Sequence, residues 1–281
     1  MYSGKVRLYL VTALVLGWVF ALVYFLGSRR GVCPFRPAKQ ADIRRLKETG
    51  PDIALLEEAL TLLVARKDNA ALLIFERVLS VEPNNPQALW GKAEVLRRAR
   101  RYKEAEALLN KVLQSQPHPA SLISLSYIRY KEDKLDQAQR LVKQALKCAT
   151  LNREDKAVAY MMLGAINSGR SGKGWFLDKL RYGTRIRGYF LKARELGPGL
   201  PEVHLGLGTF YLKAPAIAGG DLDKAFAELT QAIKIAPDFA TANARLAQAY
   251  KKKGDLEKYN FYLAKAQRLD PENEVLKEIN E

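Results

Sequence analysis

The sequence predicts an all-α fold built from repeated pairs of helices, and two observations carry this prediction. Pro83 and Pro117 are 34 residues apart, and so are Pro237 and Pro271. Each proline follows a pattern in which small and large apolar residues recur at spacings of three and four, as on one face of a helix. A period of about 34 residues with this pattern indicates a helix–turn–helix solenoid. Solenoids expose long binding surfaces, so binding is the first functional expectation.

Composition supports a globular chain without a recognisable catalytic or metal site. Of 281 residues, 27% are charged and 48% hydrophobic, and the net charge is +16. The two cysteines, Cys33 and Cys148, are far apart and match no metal-ligand spacing. The two histidines, His118 and His204, have no cluster of cysteines or carboxylates around them, and no nucleophile–base pair is recognisable. The sequence therefore predicts no enzyme, no cofactor and no metal.

The N-terminal region predicts a membrane anchor. A short tail, residues 1–7, precedes nineteen uncharged residues, 8–26. As a helix this stretch would be about 28 Å long, close to the ~30 Å hydrocarbon core of a bilayer. A cleaved signal peptide is the alternative, but its apolar region is usually ~7–15 residues long and ends in small residues. We therefore expect residues 8–26 to form an uncleaved transmembrane helix.

A basic juxtamembrane stalk and helix, residues 27–51, follows the predicted span. The excess of lysine and arginine after the span favours the cytoplasmic side for the large C-terminal part, by the positive-inside rule. Lys5 and Arg7, which precede the span, favour the periplasmic side. The expected location is a bacterial inner membrane, crossed once, with the cytoplasmic orientation preferred.

About six repeated units follow, between residues 52 and 273. Their predicted ranges are 52–85, 86–118, 119–152, 153–199, 200–239 and 240–273, with a capping helix at 272–281. A proline ends the second helix of most units because it cannot donate the next backbone hydrogen bond. Two units exceed the period: the fourth by fourteen residues and the fifth by five, the latter as a Gly-rich loop at 214–220.

The second unit gives the clearest evidence of a family. Its residues at the repeat's characteristic positions are Leu89, Ala93, Leu96, Tyr102, Ala105, Leu109, Val112 and Pro117. The segments from 52 to about 273 resemble tetratricopeptide repeats (TPR). The resemblance implies a right-handed superhelix whose first helices line a concave groove. It also implies a scaffold or adaptor that binds a protein segment there, and we expect it to assist assembly of an envelope complex.

The family's inward positions, carried over residue by residue, predict a partner-binding groove. They correspond here to Trp90, Glu94, Arg97, Arg98, Tyr127, Tyr130, Lys131, Lys213 and Lys252. One of these positions is basic in four units, which favours an acidic or C-terminal peptide segment as the ligand. The alternative is a solvated basic face, because lysine is common at this position of the family.

The insertion in the fourth unit concentrates positive charge. Residues 170–194 hold eight basic side chains and one acidic, a net charge of +7. The residues singled out there are Arg170, Lys173, Trp175, Lys179, Arg181, Arg185 and Arg187. A solvated face, contact with anionic lipid, and binding of an acidic protein or nucleic acid are the alternatives, with nucleic acid the least favoured.

The glycines at 169–174 lack the spacing of a phosphate-binding loop, because the first glycine and the serine or threonine of that motif are missing. They predict a flexible stretch instead.

Overall fold

The structure, a computed structural model, describes residues 53–173 and 176–280. Within these ranges the side chains of residues 173, 176–182, 184 and 280 are not described. The predicted tail, transmembrane span and stalk, at 1–7, 8–26 and 27–51, lie outside the described residues. None of the described helices is both long enough and apolar enough to cross a bilayer.

The described part contains thirteen α-helices and no strand, which confirms the all-α prediction. The paired helices are α1 Ile53–Val64 and α2 Asp68–Val81, α3 Pro86–Arg98 and α4 Tyr102–Ser115, α5 Pro119–Lys131 and α6 Leu135–Ala145, α7 Arg153–Lys173 and α8 Phe176–Leu196, α9 Pro201–Lys213 and α10 Leu222–Ile235, and α11 Ala240–Lys253 and α12 Leu256–Leu269. Helix α13, Glu274–Asn280, follows the last pair, and a short 3-10 turn, Ala216–Ala218, lies between α9 and α10.

The helices form two layers. The first helix of each unit contacts the first helix of the next, and α11 of the last unit contacts α13 in the same way. Each second helix contacts the first helix of its own unit and the helix that follows it in the chain. Small and large residues alternate in the core between the layers: Ala71, Ala105 and Ala138 are fully buried, as are Phe75 and Leu109. The first helices therefore share one inner surface, which is where the predicted groove residues belong.

Local sequence explains the ends of the first helices. Proline occupies the first position of α3, α5 and α9, where its missing N–H would have no intrahelical partner. Three first helices end two residues before a non-glycine residue with positive φ: Arg66 at 63°, Arg100 at 61° and Asp133 at 62°. Left-handed backbone costs an arginine roughly 1–2 kcal/mol, whereas aspartate tolerates it better because its side chain can hydrogen-bond locally. The turns of the first two units therefore each hold an arginine at a backbone-strained position.

The fourth unit corrects one prediction. Helices α7 and α8 each have 21 residues, against 11–14 in the other paired helices. The sequence predicted a flexible stretch at residues 169–174. For residues 169–173 this prediction is wrong, because Gly169 and Gly172 lie within α7. A glycine in a helix costs only about 1 kcal/mol, and packing against a neighbour offsets that. Gly169 packs this way beside Tyr130 and Leu135. The insertion is thus a longer helical hairpin.

The insertion of the fifth unit is an ordered loop. The amides of Ala218 and Gly220 donate to the Pro215 carbonyl, each at 2.9 Å, and Gly219 has a φ of 94°. A side chain on Gly220 would place its Cβ 1.8 Å from the Ala214 carbonyl oxygen, so this position requires glycine. The two glycines therefore fix the shape of the loop.

Candidate functional site

The inner surface is centred on Trp90 and a buried ion pair. The Trp90 indole Nε1 donates to the Ser124 hydroxyl at 3.1 Å. One turn further along α3, the Arg97 guanidinium makes two bonds to the Glu94 carboxylate, at 2.6 and 3.0 Å, and lies 4.2 Å above the Tyr127 ring. Burial would raise the pKa of Glu94, but Arg97 outweighs it and lowers the pKa to about 2. This pair stays charged at neutral pH.

Arg98 and Arg66 connect the first two units to the fifth. The Arg98 guanidinium donates to Asp68 at 2.6 Å and lies 3.3 Å from the Glu202 carboxylate. Arg66 donates to the same Glu202 oxygen at 2.7 Å and stacks 3.8 Å from the centre of the Phe239 ring. Burial, and then repulsion by Arg98, lower the pKa of Arg66 to about 10. Glu202, 136 residues away in sequence, is the carboxylate that both guanidiniums share.

Further ion pairs cross the inner surface between distant units. Arg100 donates to Asp270 at 2.8 Å and to the Glu272 carbonyl at 2.9 Å. Lys131, one of the predicted groove cations, pairs with Glu274 at the start of α13. We call these cross-surface contacts the clasp; it consists of Arg66, Arg98, Arg100, Lys131, Glu202, Asp270 and Glu274. The clasp brings units 1–3 into contact with unit 5 and the C-terminal end.

The remaining predicted groove cations are also engaged. Lys213 and Arg245 both pair with Glu278, at 2.7 and 2.6 Å. Burial would raise the pKa of Glu278, but these two cations lower it to about 2. Lys252 donates to the Leu212 carbonyl at 3.3 Å. The inner surface thus carries a carboxylate from the chain itself beside three of its four predicted basic positions.

The predicted groove residues thus lie on the first helices, but carboxylates of the chain itself pair with most of their basic side chains. Tyr130 lies beside Tyr127, with ring centres 6.4 Å apart. Sequence reasoning missed the acceptors, which are Glu202, Asp270, Glu274 and Glu278. The sequence held a weak signal for these acceptors: Glu202 lies on a first helix, α9, and Glu274 and Glu278 lie on α13, which packs against the first helix α11. Most of their partners could not be read from the sequence, since every one of these pairs except Arg245–Glu278, which spans 33 residues, spans 65 to 170 residues. Binding of a protein segment here stays a prediction.

The basic insertion divides into two kinds of residue. Arg170 lies against α6, where it pairs with Asp136 at 2.5 Å and with the Gln139 side chain at 3.0 Å. Arg185 and Arg187 are exposed on α8. Lys173, Lys179 and Arg181 lie on α7 or α8 without described side chains, and Trp175 falls outside the described residues. Arg170 is therefore part of the packing, and the exposed charge begins further along the hairpin.

A buried histidine joins units 4 and 5. His204 Nδ1 lies 2.6 Å from a Glu228 oxygen, its Nε2 lies 2.8 Å from the Pro198 carbonyl, and Arg194 holds the second Glu228 oxygen at 2.5 Å. Burial would lower the pKa of His204, but these acceptors raise it above its usual value. Since both ring nitrogens face acceptors, these contacts favour the doubly protonated imidazole. His204 is thus a structural residue that joins units 4 and 5.

We expect this arrangement to give a pH-dependent stability. A raised folded-state pKa stabilises the fold below about pH 6.5, and the contribution disappears as pH rises through the folded-state value. The free energy of unfolding of the wild type minus that of His204→Gln should decrease with rising pH. This difference in unfolding free energy should fall by about 1.4 kcal/mol for each unit by which the pKa of His204 in the folded state exceeds that in the unfolded state. Urea titrations between pH 5.5 and 9 measure it.

His118→Gln is the matched control, with the opposite sign. Burial lowers the pKa of His118, whose neutral Nδ1 accepts the Ser121 amide at 3.2 Å. Its stabilisation is present above about pH 6.5 and is lost as pH falls through the lower folded-state pKa. Parallel pH profiles for the two variants would contradict the assignment of charge to His204.

Three family models match the chain, and all describe the same repeat. Tetratricopeptide-repeat models match residues 65–126 and 240–273, and a TPR-repeat model matches 217–254. The chain carries tetratricopeptide repeats. The matched segments contain the clasp residues Arg66, Arg98, Arg100 and Asp270. Among the described residues, no group of three or more His, Cys, Asp or Glu has an arrangement suited to a metal ion.

Solved structures show the same fold. A thermophilic TPR protein of Thermus thermophilus superposes with a TM-score of 0.55 at 23% identity, over 69% of this chain and 96% of the other. The APC/C hetero-tetramer Cut9–Hcn1 gives 0.54 at 13% identity, over 84% of this chain and 44% of the other. A curated relative, DnaJ protein P58IPK homolog A of Oryza sativa subsp. japonica, is 40% identical over 68 residues. The match spans 24% of this chain and only 14% of that relative.

Proposed function

We propose that this repeat protein is a scaffold that binds an acidic protein segment on its inner surface. The partner's carboxylates would take the places of Glu274 and Glu278 beside Lys131 and Lys213. Trp90 and Tyr127 would contact its apolar side chains, as aromatic anchors do in other interfaces. The repeat fold supports a protein partner in general, and the chemistry of this surface favours an acidic one.

One observation supports the acidic partner most directly: carboxylates of the chain itself already pair with the basic side chains of the inner surface. Lys131 pairs with Glu274, whose side chain is 57% exposed, and Lys213 pairs with Glu278, which is 40% exposed. Lys213 is 50% exposed, and ion pairs exposed on both sides contribute only about 0–1 kcal/mol, so a ligand carboxylate can replace Glu278 at Lys213 while Arg245 stays paired with Glu278. A ligand carboxylate would then complete the same contacts, with net affinity from the aromatic side chains.

The test uses a fluorescein-labelled synthetic peptide rich in glutamate and leucine, with the full chain as receptor. Lys131→Glu together with Lys213→Glu should weaken binding at least tenfold, as measured by fluorescence anisotropy. Glu274→Gln should instead tighten binding several-fold, because it removes the internal competitor of Lys131. Lys103→Glu together with Lys156→Glu changes the same charge at exposed positions and should leave the affinity unchanged.

The lysine variants and Glu274→Gln are expected to change the affinity for the peptide in opposite directions. If Glu274→Gln weakens binding, the carboxylate is part of the ligand site and the exchange is wrong. If Lys131→Glu with Lys213→Glu binds like the matched control, the inner surface does not hold the peptide. Circular dichroism of each variant checks that helical content is retained.

We further propose that residues 8–26 anchor the scaffold in a bacterial inner membrane, where it assists assembly of an envelope complex. The uncharged sequence of that segment supports the anchor, and its flanking charges favour a cytoplasmic repeat domain. Reporters fused to the C-terminus test the orientation: an enzyme active only in the periplasm should remain inactive, and one active only in the cytoplasm should be active.

A further inference from the structure

The loop of unit 5 lies beside α8 of unit 4, the turn of unit 6 lies beside α10 of unit 5, and together they form one edge of the repeat domain. A Cβ on Gly219, in the turn of unit 5, would lie 3.6 Å from the Arg187 side chain of α8. Lys253, at the turn of unit 6, lies 5.4 Å above the ring of Phe226 in α10 of unit 5. We call this surface the turn edge; its exposed residues used below are Arg185, Arg187, Ile217, Lys251, Lys253 and Leu256.

The turn edge presents apolar side chains on ordered turns. Ile217 is 100% exposed at the tip of the loop in unit 5. The loop is fixed by the Gly219 conformation and by the Asp221 amide, which donates to the Tyr211 carbonyl at 2.9 Å. Leu256, at the equivalent turn of unit 6, is 62% exposed. Since neither side chain contributes to the core, both are available to a partner.

The charge around these side chains is positive. Arg185 and Arg187 are exposed beside the Ile217 loop, and Lys251 and Lys253 beside Leu256. Lys251 and Lys253 lie over aromatic rings, and neither has an ion pair with a carboxylate of the described residues. A partner that supplies many negative charges is therefore favoured.

The acidic residues of the turn edge do not cancel this charge. Asp221 accepts the amide of Lys224 at 3.0 Å and pairs with its ammonium at 2.6 Å. Asp255 makes the corresponding contacts to Lys258, at 3.1 and 3.5 Å. Each aspartate caps a helix and is neutralised by its own lysine. Asp223 and Glu257, in the first turns of α10 and α12, are also exposed, so four basic side chains without a carboxylate partner among the described residues stand against two acidic ones, and the edge keeps an excess of positive charge.

Exposed apolar side chains and basic residues lie together along the turn edge. Ile217 and Leu256 sit on separate projecting turns, with basic residues around each. Basic residues flanking exposed apolar side chains are the arrangement by which proteins bind the interface of an anionic membrane.

We propose that the turn edge binds the surface of a bilayer that contains anionic phospholipid. Ile217 and Leu256 enter the boundary between headgroups and acyl chains. Arg185, Arg187, Lys251 and Lys253 contact the lipid phosphates. No residue of this surface belongs to the clasp or to the proposed contacts of the acidic segment, so the two proposals succeed or fail separately.

The test places an environment-sensitive dye at the tip of the loop in the full chain. Ile217→Cys, with Cys33→Ser and Cys148→Ser, is labelled with NBD and mixed with nanodiscs of phosphatidylcholine alone or with phosphatidylglycerol. With the anionic lipid we expect a blue shift, a several-fold rise in emission and several-fold protection from aqueous iodide. High salt should reverse the change, because it screens exposed charges.

Two controls separate this from other contacts. The same dye at Asn84→Cys, an exposed position in the link between α2 and α3, should show no shift. Arg185→Glu with Arg187→Glu should abolish the response at position 217. Lys103→Glu with Lys156→Glu, an equal change of charge away from the turn edge, should retain it. Unchanged helical content by circular dichroism shows that the charge variants are folded.

Three outcomes would overturn the proposal. A dye at 217 that stays water-exposed on anionic nanodiscs removes the membrane contact. Equal protection on neutral and anionic nanodiscs removes the role of the basic residues. Protection by soluble polyglutamate, but not by the anionic bilayer, assigns the turn edge to an acidic protein partner instead.

Discussion

Glu202→Gln is expected to destabilise the full chain by about 2–3 kcal/mol and to open the clasp. Glu202 is the only carboxylate that pairs with Arg66 among the described residues, and Arg98 would keep Asp68 and the Leu63 carbonyl. Removing one member of a buried charge cluster leaves the others uncompensated, which costs about 3–5 kcal/mol when burial is complete and less where water reaches the site. Urea denaturation measures the stability, and small-angle X-ray scattering should show a larger radius of gyration.

Glu195→Gln is the matched control for this change. Glu195 pairs with Lys192 at 2.7 Å, three positions away on α8, and both side chains are exposed. Exposed pairs of this kind contribute about 0–1 kcal/mol, so stability and radius should stay close to the wild type. If the two variants behave alike, the Glu202 pairs do not hold the units together.

Phe75→Ala is expected to destabilise the chain by about 3–5 kcal/mol, the usual range for removing a buried aromatic side chain. Phe75 is fully buried between the first two units, and its ring lies where a side chain on Gly91 would be. The truncation leaves a cavity at the interface of α2 and α3. Because stability in solenoids depends on such neighbour interfaces, the loss should appear in the midpoint of urea unfolding.

Two further changes test the packing explanation. Leu73→Ala removes an apolar side chain that is 50% exposed on the same helix, and should change stability by about 0.5 kcal/mol or less. Gly91→Ala places a Cβ 2.1 Å from the Phe75 ring and should destabilise strongly. Phe75→Leu combined with Gly91→Ala should be more stable than the sum of the two single changes implies. Simple additivity would contradict a direct contact.

Much of the architecture could be predicted because its signals are local. Apolar residues at spacings of three and four indicate each helix. Pro86, Pro119 and Pro201 each occupy the first position of a helix. The positions of Trp90 and Lys131 on a first helix also follow from the repeat. That these residues form a binding groove stays a prediction.

The prediction failed where a nonlocal contact decides the outcome. Gly169 and Gly172 suggested a loop, because glycine weakens a helix, but α7 continues through both. The packing of α7 against α6 and α8 offsets that local preference. Arg170 was likewise assigned to an exposed basic segment, yet it pairs with Asp136 of the preceding unit. In both cases the deciding partner lies in a neighbouring helix.

The all-α repeat, the order of its helices and the concentration of charge in the fourth unit could all be predicted from the amino-acid sequence. These follow from spacing and composition, which need no knowledge of distant contacts. Three contacts required the tertiary structure: Arg66 and Arg98 share Glu202, Lys131 pairs with Glu274, and Gly219 of the unit 5 loop lies beside Arg187. The reason is geometric: these contacts join turns and helices of different units, and the curvature that brings them together is a sum over many small packing angles that no single repeat encodes.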